Sequence, residues 1–140
     1  MKRILATLIL FMAGSSARAD DWKKLEGTWL PLAMELGGQK FDANQLKDTK
    51  LVMTQEKYEL ISPQVKDKGE LKIDEAKKPR EMDILSREGP HKDKPIPAIY
   101  SFDGELLKVC YGLDGKTRPT EFKTTKDDGF FMAVYKRERK

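Results

Sequence analysis

Behind residue 19, apolar and polar residues alternate in short runs separated by turn formers, and no sustained three-four periodicity interrupts them. Period two belongs to strands, whose side chains point to opposite faces in turn. Candidate strands are Gly27–Leu36, Lys50–Thr54, Lys57–Ile61, Gly69–Ile73, Glu81–Ser86, Pro97–Phe102, Leu106–Tyr111 and Phe130–Arg137, with Phe122–Thr125 as a ninth. Gln55-Glu56 and Asp103-Gly104 read as two-residue connections, the second with a glycine that tolerates positive φ, so neighbouring strands are expected to pair antiparallel as a meander. Asp42 to Lys47 reads as one short helical turn capped by Asp42. Lys66 to Arg80, rich in charge, and Gly89 to Pro95 read as solvated segments.

The first nineteen residues read as an export leader. Lys2 and Arg3 precede an apolar run from Ile4 to Ala13, and Ala17-Arg18-Ala19 offers the small-x-small pattern for cleavage after Ala19. Ten apolar residues reach about 15 Å as a helix, half of a hydrocarbon core of roughly 30 Å, so no stable membrane insertion is expected once the leader is removed. The chain is then exported, periplasmic or extracellular, as one domain over 20–140. Of its basic residues, Lys2, Arg3 and Arg18 leave with the leader, and the remaining 24 face 23 acidic ones. A net charge of +1 removes the compositional case for nucleic acid. The basic tail Lys136-Arg137-Glu138-Arg139-Lys140 reads as a solvated chain end or, in the alternative, a polyanion contact. Cys110 is the one cysteine, which makes an internal disulfide impossible and favours a buried small hydrophobe over an exposed thiol.

Several motifs follow one another in a known order: Leu25-x-Gly27-Thr28-Trp29, Glu35, Gly38, Pro79 with Met82-Asp83, Ile99-Tyr100, Asp103-Gly104, Leu107-Lys108 with Cys110, Arg118-Pro119 with Phe122, and Lys136-Arg137. Together they resemble the planctomycete-type small conserved domain of lipocalin-like character, over nearly all of 20–140. The resemblance implies an antiparallel up-and-down lipocalin-like β-barrel of about eight to nine strands with one short helical turn. It implies a fold far more than an activity. It also implies that Trp29 plugs one end of the barrel with a late-strand cation, Arg137, across its ring, a structural pairing of about 0.5 to 2 kcal/mol. Pro31 departs from the family's first strand and points to an edge, bulge or kink.

Candidate binding residues are Glu35, Asp83, Tyr100 and Arg118. Glu35 and Asp83 stand among apolar neighbours, where an inward carboxylate would need a cation, a hydroxyl or a ligand's polar head. The alternative is that they face solvent or pair with Arg118, which itself either pins the bend at Pro119 or forms an anion site. His91, the only histidine, has no second ligand at metal-site spacing, so no metal, no cofactor, no catalytic residues and no enzymatic activity are expected. Two functions are compatible with these residues: binding of a small hydrophobic ligand inside the barrel, or a filled barrel serving as a structural or protein-interaction module. No oligomeric state is read from the sequence.

Overall fold

A computed structural model describes residues 21–139; the leader over 1–19 and its cleavage after Ala19 lie outside the described residues. The chain opens with a short helix, α1 (Asp21–Leu25), followed by β1 (Gly27–Leu36), a two-residue β2 (Gln39–Lys40) and a second short helix, α2 (Ala43–Leu46). Seven strands follow: β3 (Lys50–Thr54), β4 (Lys57–Ile61), β5 (Lys66–Asp74), β6 (Arg80–Glu88), β7 (Pro95–Asp103), β8 (Leu106–Gly112) and β9 (Phe130–Arg137). Every neighbour pairs antiparallel, and β9 returns to β1, so β1 and β3 to β9 close an eight-stranded up-and-down barrel. Closure leaves an open edge only along the middle of β1, between its pairings with β3 and with β2.

Alternation along each strand builds the interior. Trp29, Leu51, Met53, Tyr58, Leu71, Met82, Ile84, Ala98, Tyr100, Leu107, Val109 and Tyr135 form one buried cluster, while the residues between them face outward. On β5 the expected start at Gly69 moves back to Lys66, because Lys66, Lys68 and Glu70 occupy the outer face and mask a strand whose inner face carries Leu71 and Ile73. On β1 the ladder to β9 shifts register between Pro31 and Ala33, leaving Leu32 as an exposed extra residue. Proline is tolerated there because it stands at the bulge in the ladder to β9, and on its other side neither β3, which pairs only with Gly27–Trp29, nor β2, which pairs only with Glu35–Leu36, reaches it.

The ninth strand is not Phe122–Thr125. Direct pairing of β8 with β9 fills the ladder those residues would need, and the extra strand is β2, a short hairpin against the end of β1. The two-residue turn Gln55-Glu56 is present, with Gln55 at φ 56°, whereas the later one is Gly104-Glu105, since Asp103 still pairs with Leu106. Asp42 caps α2 through a reciprocal pair, its carboxylate accepting from the Gln45 amide and the Gln45 side chain accepting from the Asp42 amide.

Helix α1, which period-two reading passes over, stoppers one end. Its terminal carbonyls have no partners within so short a helix. Trp29 Nε1 donates to Leu25 O at 2.8 Å, and Arg137 donates to the carbonyls of Glu26, at 2.6 Å, and Lys24. The Arg137 guanidinium lies 4.3 Å from the Trp29 ring centroid. At the helix start the buried Asp21 carboxylate accepts from the Tyr100 hydroxyl at 2.7 Å and meets Arg80 at 3.3 Å.

Residues 113–129 pass outside the wall as a strap. Cys110 and Ile99, paired across β7 and β8, point away from the barrel interior yet are fully buried, as is Pro119 of the strap. Arg118 fastens the strap, donating to Met82 O at 3.2 Å and Ala98 O at 3.0 Å while pairing with Asp83 at 2.7 Å and Glu81 at 3.5 Å.

Candidate functional site

Because strand direction alternates, the connections after β1, β4, β6 and β8 gather at the end opposite α1. Gln45 and Thr49, Ser62 and Gln64, Pro90 and His91, and Leu113 represent those four connections in the lining of a cavity of about 370 Å³. Deeper, its wall is apolar: Met34, Leu51, Met53, Leu71, Met82, Ile84 and Ile96, with Phe41 and Phe131 packed at 5.8 Å between ring centroids.

Two polar groups interrupt that wall. Asp67 Oδ1 accepts from the Tyr58 hydroxyl at 3.1 Å and from the Ser86 hydroxyl at 2.5 Å. Across the cavity lining, the hydroxyls of Tyr111 and Tyr135 are hydrogen-bonded at 3.1 Å. Burial raises the ionisation of all three tyrosines: Tyr135 to about 12, and Tyr111, whose neighbour Tyr135 adds to the effect, well above the ordinary phenol range. Tyr58 is raised by burial and further by the Asp67 charge. All three therefore remain neutral donors at physiological pH.

None of the four residues expected to bind ligand lines this cavity. Asp83 lies between the inward residues Met82 and Ile84, so it points out and holds Arg118 on the strap. Glu35 lies beside inward Met34 and accepts from the Thr124 hydroxyl at 2.6 Å, which in turn accepts from Gly38 N at 2.7 Å. Tyr100 does point inward, but at the stoppered end against Asp21. Glu35, Asp83 and Arg118 thus secure the strap from outside, and Tyr100 secures α1. Trp29 and Arg137 stand together as barrel closure.

Asp67, Ser86 and Tyr135 are the polar lining and support residues that reading by composition passes over. Lys66-Asp67-Lys68 looks solvated as a run, yet counting back in twos from Leu71 puts Asp67 on the inner face. Among the described residues no three His, Cys, Asp or Glu side chains form a group able to hold a metal ion. Cys110, beneath the strap, donates weakly to Lys123 O at 3.7 Å, and burial pushes its thiol up to about 11.

Compared with family models, curated proteins and solved structures, the chain finds no match.

Proposed function

We propose that this chain is an exported, lipocalin-like binding protein that takes one small hydrophobic molecule into the open end of its barrel. The observation that carries the reading is the apolar-walled cavity of about 370 Å³, which lies within the range of small-molecule sites, about 300 to 1,000 Å³. In the competing case of a filled interaction module, inward side chains would occupy that space. Three of the wall residues, Met34, Met53 and Met82, are unbranched and adaptable, which favours a surface that repacks around a guest. The leader over 1–19 supports export, and no helix among the described residues is long and apolar enough to cross a membrane.

Titration with an environment-sensitive apolar dye, paired with native mass spectrometry of protein purified from its source, tests the reading. Saturable uptake at one dye per chain and a co-purified small molecule are expected. Leu71→Trp, which narrows the cavity, should weaken dye uptake while the far-ultraviolet spectrum stays that of a sheet. Absence of both dye uptake and co-purified ligand in the unaltered protein overturns it. Export is tested separately by intact mass: secreted protein should lack residues 1–19, and a mass that retains them overturns that part.

A further inference from the structure

The barrel interior carries one carboxylate and no lysine or arginine among the residues that line its cavity. Asp67 is held there by its strand: Lys66 and Lys68 on either side are exposed on the outer face, so the acid alone faces in. Its position is fixed rather than incidental. Oδ1 receives both the Tyr58 and the fully buried Ser86 hydroxyl, and the Cβ of any residue at Gly89 would stand 3.0 Å from the Asp67 side chain. Among the described residues Oδ2 has no hydrogen-bond donor and no cation within ion-pair distance, and the aspartate has no salt bridge. Asp67 is half-buried where the apolar wall meets the mouth, so its free Oδ2 is open to a donor, above all a charged one, that arrives with the guest.

On the binding reading given above, we infer that the molecule held is an apolar compound bearing a protonated amine, with its ammonium on Asp67 and its hydrocarbon body against Met34, Met53, Met82 and Ile84. An alkyl carboxylate or phosphate of the same size meets the like charge of Asp67, with no lysine or arginine in the lining to compensate it. The neutral Tyr111 and Tyr135 hydroxyls offer a second polar point for such a guest, as donor or acceptor. His91 at the mouth is the one basic side chain in the lining, and it lies on the β6–β7 connection rather than on the strand wall.

Isothermal titration of the unaltered protein with decylammonium, decanol and decanoate, each below its micelle concentration and at about pH 8, where an alkylammonium stays charged, reads the inference without any variant. Decylammonium should bind at least about tenfold more tightly than decanoate, with decanol between, as a charge-assisted hydrogen bond contributes roughly that factor or more. Asp67→Asn, close to isosteric, should remove about tenfold of decylammonium affinity and change decanol by less than about threefold. Decanoate binding as tightly as decylammonium overturns the amine inference and leaves the carrier reading standing. Unchanged decylammonium affinity in Asp67→Asn overturns Asp67 as the anchor. Failure of all three probes to bind overturns the carrier reading together with this one.

Discussion

The Arg137 guanidinium lies 4.3 Å over the Trp29 ring while its nitrogens cap the carbonyls of Lys24 and Glu26, so the last strand and the first are tied to helix α1 by a single side chain. Trp29, 1 % exposed, is the largest group in that closure. Trp29→Ala is expected to lower stability by about 3 to 5 kcal/mol, because it leaves a void that the barrel wall cannot collapse into. Arg137→Lys keeps the charge but loses the planar fork that reaches two carbonyls at once, at about 1 to 3 kcal/mol. Urea unfolding checks both; a Trp29→Ala midpoint equal to that of the parent protein would remove the indole from the closure.

All four tyrosines of the chain, Tyr58, Tyr100, Tyr111 and Tyr135, are directed inward, and all have raised ionisation, in each case first through burial. At Tyr100 the hydrogen bond donated to Asp21 adds to it. The folded protein therefore holds protons that the unfolded chain gives up above about pH 10, the ordinary phenol value. Stability from these groups is fully present below that pH and is lost as pH rises through the folded values, beginning near 10 and continuing through Tyr135 at about 12. In spectrophotometric titration the native protein should show almost no phenolate at about pH 10.5, whereas the chain in guanidinium titrates near 10. Two or more phenolates appearing reversibly near pH 10, with the fold intact, would contradict the inward placement.

Cys110 reports on the strap. Buried under residues 113–129 and with its thiol raised to about 11, it should react with an aromatic disulfide reagent only slowly at about pH 8. Arg118 is the fastening, through two backbone carbonyls, Asp83 and Glu81. Arg118→Ala should cost about 1 to 3 kcal/mol and speed labelling of Cys110 at least several-fold under native conditions, because the strap opens without global unfolding. Labelling that keeps the parent rate would mean that Arg118 is not what holds the strap over Cys110.

Period two made the barrel strands legible, since Leu51 and Met53 or Met82 and Ile84 alternate with polar residues, and the Gly27-x-Trp29 motif marked the closed end. What alternation does not reveal is which face an acid takes when its neighbours are long and charged. Asp67 between two lysines reads as part of a solvated run, and Asp83 between two apolar residues reads as inward although those two residues take the interior. Phe122 to Thr125 carries strand-forming residues, yet a ladder position exists only if neighbouring strands leave it free, and β8 with β9 do not. Tyr100 faces inward but stands at the stoppered end against Asp21, and strand parity, which separates inside from outside, says nothing of height along the barrel axis.

Gly112, at the end of β8, separates two kinds of glycine requirement. A Cβ there would stand 1.9 Å from Thr117 O of the strap, a backbone atom that cannot rotate aside, although the glycine itself has no positive φ. Gly104, in the β7–β8 turn, has φ 62° and nothing within 4 Å of where its Cβ would sit. Gly104→Ala therefore meets only the left-handed backbone penalty of about 1 to 2 kcal/mol, with no change in Cys110 labelling. Gly112→Ala must displace the strap, at about 1 to 3 kcal/mol or more, and should speed that labelling as Arg118→Ala does. Because both of the latter act by lifting one segment, their effects on stability should sum to less than additive in the double variant, as expected of substitutions that share a partner. Full additivity in urea unfolding would show that Arg118 and Gly112 hold separate parts of the wall.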